Sequence, residues 1–497
     1  MIPIIQKAAN VCVYCRVRKQ KCDRMLPRCE RCSAKDLDCD YSAPPQFTGQ
    51  RPEQLVIHNV PCGHADLSPH GAAELVHAVK ACTNASSLPD SATNLSDLIS
   101  EILDVAGFSL SDALTVFGPC IQQWCPVFFE DHIFGCTECM LSEPVNAQDG
   151  PKDPILWMCL WLVMRKPCSS HENMGASELY STLKQVHAVL QSAPTTAFIV
   201  LQVGLIIAIH ELGHGLRMPA YQTLASCTAT LRLLEFEAMR KQDTESLEKL
   251  WWLKSSVIML DRQLTVSVIT DCLPLTNPTD HPISKSLRKI LMTGLPPHDP
   301  RPLATAPRKL YIRTGAAVTA GHALEYIHDR QQGVEPEKSY DQVDAIVNRC
   351  ISMLVVKPNS LDLFHCNAVP MTFSSHIVLQ STHIRYLQVA VSAEQPLEEE
   401  EFAKALAALK FSRSIAWDMM RVGFQMIKSE DSISRLPLSG LCSVLRAALL
   451  VLETNGLVDD NLFEEGEIDA YVQILHWFAS RWTIGNEYLA KAKEVLG

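Results

Sequence analysis

Six cysteines between positions 12 and 39 constrain this 497-residue chain more than any other feature. Cys12, Cys15 and Cys22 are spaced C-x2-C-x6-C, and Cys29, Cys32 and Cys39 repeat that spacing after a six-residue spacer. A C-x2-C pair lets one turn of backbone present two thiolates to a single ion. One such pair is weak evidence; two copies of the longer pattern in a segment rich in Lys and Arg are hard to produce by chance. Six thiolates complete two tetrahedral sites only if two sulfurs are shared, and tetrahedral sulfur coordination selects zinc. The repeat nominates the first cysteine of each half, Cys12 and Cys29, as the shared pair. Cys15 and Cys22 then finish one site, Cys32 and Cys39 the other. A segment this short buries too little apolar surface to fold unaided. Two zinc ions, each contributing on the order of 10 kcal/mol, are expected to fold it. A disulfide framework would use the same residues. Nineteen cysteines behind a start with no secretory pattern instead indicate a reducing compartment, where patterned cysteines bind metal.

Charge adds a direction. The chain carries −11 overall, yet nine Lys and Arg against five Asp and Glu give residues 1–40 a net of +4 and leave −15 for the rest. A small basic head on a large acidic body is a signature of nucleic-acid interaction. The residues between Cys15 and Cys22 read as a short metal-held helix that projects Arg16, Arg18, Lys19 and Lys21. Such side chains donate to the O6 and N7 acceptors of guanine in the major groove and pair with phosphates. Double-stranded DNA is the expected partner, with the alternative of a zinc scaffold that has no DNA role. The same basic run serves nuclear import.

From Val11 to Tyr41 the sequence resembles the fungal binuclear zinc cluster transcription factors. The Arg after the second cysteine, the Lys before the third, the Asp after it and the Pro in the loop all fit. The resemblance implies that the first metal-bound helix reads a CGG-type triplet. Arg18 and Lys19 would contact bases, and Arg16 and Lys21 would contact phosphates. It also implies a nuclear protein that works with co-regulators or the transcription machinery.

Beyond the cluster, residues 42–95 read as a linker, with Pro44-Pro45 at its start and Ser, Thr, Asn and Pro recurring through 83–95. Leu75, Val76 and Val79 supply about one helical turn of apolar face, short of the heptads a coiled coil needs. A homodimer stays open, but no coiled coil is there to form it. From about Asp97 apolar residues recur at helical spacing, and Ala197–Ile209 is almost wholly apolar. A membrane span needs about 20 such residues, so this stretch is expected to be a buried helix and no membrane is involved. The expected architecture is a small N-terminal binuclear zinc-cluster domain (1–41), a linker (42–95) and a large all-α regulatory domain (96–497). Four segments resemble the same family's helical middle homology region. They are Val116–Phe129 with Trp124 and Pro126, His210–Gly215 followed by Pro219-Ala-Tyr221, Trp251-Trp252 through Leu260-Asp261-Arg262, and Ser480-Arg-Trp482. Regulators of fungal secondary-metabolite pathways share this likeness.

Three motifs compete with that reading. His210-Glu-Leu-Gly-His214 matches the HExxH pattern in which two histidines bind zinc and the Glu activates water, with Glu235 or Glu237 as a conceivable third ligand. A zinc metallopeptidase is therefore the rival activity, although Gly213 and Gly215 weaken the helix that must hold both ligands. The bland reading is a helix end in a helical core, and no catalytic residue is assigned. Cys136 and Cys139, with His132 nearby, form a further C-x2-C pair, read as free thiols. Val458–Asp469 mixes acidic and bulky apolar residues as activation segments do; a solvated loop leading into the final helix is the plainer reading.

Overall fold

The computed structural model separates the chain into two units, Met1–Val56 and Ile57–Gly497. It describes residues 8, 11–12, 15, 20–35, 37, 39, 58–59, 65–84, 89–129, 153–167, 177–193, 197–269, 272–285, 287, 306–355, 368–392 and 399–497. The first unit contributes α1 (Glu30–Ala34). Among its described residues the second is all-α apart from a two-residue antiparallel ladder, β1 (His58–Asn59) with β2 (Ala65–Asp66).

The stretch read as a linker is not one throughout. It contains α2 (Pro69–Asn84) and the start of α3 (Pro89–Ala106), both part of the helical unit. Leu67, Ala72, Leu75 and Val79 are buried, and α2 packs on α6 (Glu178–Gln191). Apolar residues too few for a coiled coil suffice for one face of an amphipathic helix with a ready partner. No local pattern announces that partner, which lies about a hundred residues away.

The next elements are α4 (Leu110–Phe117), a single π turn at Gly118–Gln122, and α5 (Pro154–Met164). Ser109 and Asp153 start these helices by accepting the N–H of Asp112 (3.2 Å) and of Ile155 (3.1 Å). Then come α7 (Phe198–Gly213), α8 (Arg217–Lys241) and α9 (Thr244–Ser267). Every residue of α7 from Val200 to Gly213 is buried, as the apolar run 197–209 predicts. It packs against α5, α6, α8 and α9. Among the described residues no single helix is long and apolar enough to cross a membrane.

Helix α9 joins the two halves of this unit. It meets α7 and α8 on one side and α10 (Ala306–Gln331), α12 (Ala368–Ser392) and α15 (Leu438–Glu453) on the other. It is buried from Leu253 to Ser267, so its polar residues need partners. Asp261 accepts from the backbone N–H (2.8 Å) and hydroxyl (2.7 Å) of Thr276 and pairs with Arg262. Gln263 accepts from Ser439 (3.0 Å) and Ser443 (2.9 Å) on α15. Gly321 on α10 makes room for Arg262, since a Cβ there would lie 2.9 Å from its guanidinium. The remaining helices are α11 (Tyr340–Val355), α13 (Glu399–Met426), the short α14 (Glu430–Ile433), α16 (Glu467–Arg481) and α17 (Ile484–Leu496). The acidic first turn of α13 faces the positive end of the helix dipole.

Asp66 ties the ladder to the helices. Its carboxylate accepts from Ser177 Oγ (3.1 Å) and from the free N–H groups of Glu178 and Leu179 (3.2 Å each), and pairs with Arg165 (2.9 Å). It thus caps α6 from more than a hundred residues away. Loss of a cap and of a half-buried charged hydrogen bond costs about 2 kcal/mol together. Asp66→Ala is expected to lower the melting temperature of the helical unit by about 2 °C, whereas an unchanged melt would remove Asp66 as the cap of α6.

Candidate zinc centre

The first unit is organised around sulfur. Cys12, Cys15, Cys29 and Cys32 are fully buried, and Val11, Cys22, Leu37 and Cys39 pack against them. Cys12 Sγ lies 3.9 Å from Cys29 Sγ, 3.7 Å from Cys32 Sγ and 3.9 Å from Cys22 Sγ. Cys29 Sγ is also 3.9 Å from Cys15 Sγ. Zinc–sulfur bonds of about 2.3 Å in a tetrahedron set sulfur–sulfur edges of about 3.8 Å. A disulfide would need about 2.05 Å. The six cysteines are free thiols, and the sulfurs of Cys12, Cys15, Cys22, Cys29 and Cys32 lie at the spacing that zinc imposes, with Cys39 packed against them. Cys12 and Cys29, nominated by the repeat, occupy the middle of the group.

Local backbone explains the gathering. Cys29 precedes α1 as its N-cap, and its sulfur accepts the N–H of Cys32 at 3.4 Å. One helical turn therefore fixes the second C-x2-C pair. The N–H of Cys29 in turn donates to Cys39 Sγ at 3.3 Å. Between the halves, the Leu26–Pro27 bond is cis and Arg24 has a positive φ of 61°. Burial pushes the thiols of Cys12 and Cys32 up and that of Cys29 up to about 12. Thiolates in such a site need a cation beside them, and a divalent ion deprotonates its ligands on binding.

Two supporting residues have no motif of their own in the cysteine spacing. Asp23 accepts the N–H of Glu30 with both carboxylate oxygens (3.2 Å each) and so helps to cap α1. Arg28 Nη2 donates to the carbonyl of Leu37 at 2.6 Å, which closes the second half. Of the four residues expected to meet DNA, Lys21 is exposed beside Cys22. Arg16, Arg18 and Lys19 lie outside the described residues; the N–H of Gln20 donates to the carbonyl of Cys15 at 2.8 Å.

Comparison with known proteins agrees with this geometry. Residues 10–47 match the fungal Zn(2)-Cys(6) binuclear cluster domain. The chain therefore carries a DNA-binding type of domain that holds two zinc ions on six cysteines. The chain is 42% identical over 48 residues to the aspercryptin biosynthesis cluster-specific transcription regulator of Emericella nidulans, covering 10% of this chain and 8% of that protein. It is 42% identical over 49 residues to transcription factor gsfR2 of Penicillium aethiopicum, covering 10% and 11%. The chain thus spans about a tenth of the length of these curated relatives in the matched region. No solved structure matches it.

The HExxH segment proves to be a helix end. Glu211 is fully buried and accepts from Tyr180 Oη (2.7 Å) and Lys184 Nζ (2.9 Å). His214 caps α7, and its Nδ1 lies 3.1 Å from Thr483 Oγ1. Glu237 is held by Arg240 at 2.7 Å and Glu235 by Lys254. Among the described residues, groups that converge closely enough to hold an ion occur in the cysteine cluster alone. The two glycines have packing reasons. A Cβ on Gly213 would come within 2.2 Å of the Trp482 ring, and Gly215 has φ +69°, which turns the chain into α8. Arg481 donates to the carbonyls of Val163 (2.9 Å) and Arg165 (3.2 Å) and so caps the end of α5. Cys136, Cys139 and His132 lie outside the described residues. The acidic stretch 458–469 is not simply solvated: Asp460 holds buried Arg413 (2.8 Å) and Glu467 holds Arg421 (2.7 Å) at the start of α16.

Buried histidines around α7 make the helical unit sensitive to acid. Burial, with Lys184 nearby, holds His187 down at about 4, although the Val200 carbonyl opposes the shift. Burial and the neighbouring His210, Arg481 and Arg165 hold His214 well below its ordinary value. Below pH 6.5 the unfolded chain takes up protons that the folded unit refuses, so stability falls as pH drops from about 6.5 toward 4. Thermal melts across that window are expected to shift downward, and His187→Gln to flatten the slope. A slope that His187→Gln leaves unchanged would exclude this residue as a source.

Proposed function

We propose that this chain is a zinc-dependent, sequence-specific DNA-binding transcription regulator that acts in the nucleus and reads CGG-type triplets. The observation that carries the reading is five of the six cluster sulfurs at zinc-type separations within a segment that matches the binuclear cluster domain. In it Cys12 and Cys29 bridge the two ions, Cys15 and Cys22 complete one site, and Cys32 and Cys39 the other. Arg18 and Lys19 donate to guanine edges, while Arg16 and Lys21 hold phosphates. Residues 1–41 are the reading head, and the helical domain governs activity through co-regulator contacts. Similarity to a biosynthesis cluster-specific regulator supports a role in a secondary-metabolite pathway.

Metal analysis separates the two kinds of ligand. The intact chain is expected to hold two zinc ions. Cys12→Ser or Cys29→Ser should release both, while Cys39→Ser should retain the ion bound by the first half. Equal losses from all three variants would refute the bridging assignment.

DNA binding tests the function itself. The zinc-loaded chain should prefer CGG-containing probes over scrambled ones, with affinity falling steeply as salt rises. Arg18→Ala and Lys19→Ala should each weaken the CGG complex about tenfold or more, because a bidentate base contact is worth ~1–3 kcal/mol. Lys21→Ala should weaken all sequences alike and lower the salt slope by about 1. Tight zinc binding without any sequence preference would favour a zinc scaffold instead.

A further inference from the structure

One carboxylate ties the two halves of the cysteine cluster together through the backbone. Asp23 follows Cys22, the last cysteine of the first half. Its Oδ1 and Oδ2 both accept the N–H of Glu30, in the first turn of α1, at 3.2 Å. Oδ1 also accepts the N–H of Met25, in the loop between the halves, at 3.4 Å. A carboxylate oxygen of Asp23 lies within 4.8 Å of the sulfurs of Cys22 and Cys29. Two divalent ions on six thiolates leave the centre net negative, so an anion at that distance is repelled. What Asp23 contributes there is its hold on the backbone N–H groups.

The helix it holds carries two further cations. Arg31 and Lys35 stand four positions apart, on one face of α1 and its C-cap. Cys29 and Cys32 are buried, whereas Lys35 is exposed and Arg31 partly so. Among the described residues neither Arg31 nor Lys35 pairs with a carboxylate, and the buried Nε–H of Arg31 has no acceptor. Unpaired cations in a segment of net positive charge suit phosphate oxygens. A helix of one turn does not persist unaided. Cations on a frayed turn have to be ordered at the moment of binding, which lowers affinity.

We propose that Asp23 is a positioning residue for DNA binding, which fixes α1 against the first half and so holds Arg31 and Lys35 where they contact phosphates beside the triplet. The second half of the cluster then supplies affinity without reading bases, and the first half does the reading. This role rests on the DNA-binding reading of the cluster.

The test is DNA binding by the zinc-loaded full chain over a salt series, with zinc content measured on the same samples. Arg31→Ala and Lys35→Ala should each lower the salt slope by about 1 and weaken CGG and scrambled probes alike. Asp23→Ala should keep both zinc ions and the CGG preference. Its slope should fall by about 2 and its affinity for both probes about tenfold or more. Asp23→Asn, which keeps one carbonyl oxygen as acceptor, should restore most of the slope. Adding Lys35→Ala to Asp23→Ala should cost nothing further, because that contact is already lost; a residue that merely stabilised the fold would give additive losses. Release of zinc by Asp23→Ala would make Asp23 a support of the metal site and overturn the proposal. An unchanged slope in Asp23→Ala, or in both cation variants, would overturn it as well. The two readings fail separately. A chain without CGG preference whose slope still falls in these variants defeats the sequence reading alone. A chain that prefers CGG but whose variants bind as it does defeats the role of Asp23 alone.

Discussion

Sulfur atoms 3.7–3.9 Å apart in a buried centre can be held together as thiolates only by a cation. Everything else in the N-terminal unit depends on that constraint. Among the described residues the segment has almost no apolar core beyond Val11 and Leu37 packed on the cysteines, so metal coordination takes the place of hydrophobic burial. The one-turn helix α1 is too short to persist alone. Its start is fixed by Cys29 and by Asp23, the first a metal-site cysteine and the second the neighbour of another. Folding and metal binding are then one event.

The helical unit answers a different constraint. Two of its helices, α7 and α9, are buried on nearly every side, and any polar group they carry must be satisfied from elsewhere in the chain. Motifs that look like chemistry serve this purpose. Glu211 is spoken for by Tyr180 and Lys184, Asp261 by Thr276 and Arg262, and Arg481 by the last carbonyls of α5. Removing one partner of such a buried set costs more than the set itself contributes, because it strands the other.

How much of this was legible in the sequence depends on the range of the interaction. The cysteine spacing is local and periodic, and it foretold the cluster. The apolar run 197–209 foretold a buried helix, and the all-α character of the large unit followed from helical spacing. Helix α2 was missed because its reason for folding is α6, far along the chain. The HExxH segment was read as a helix end, but a short pattern cannot register that Gly213 exists to admit Trp482, about 270 residues away. The acidic stretch 458–469 read as solvated because Arg413 and Arg421, its ion-pair partners, lie on α13.

Read as a DNA-binding regulator, the chain faces an arithmetic problem that the fold bears on. A three-base-pair word recurs on the order of every 64 base pairs of random sequence, and each mismatch costs only ~1–3 kcal/mol, so one triplet selects no promoter. The body carries a net charge of −15 against +4 on the head, and extra non-specific phosphate contacts from it would be repulsive. Discrimination beyond one triplet therefore has to come from something other than the charge of the body.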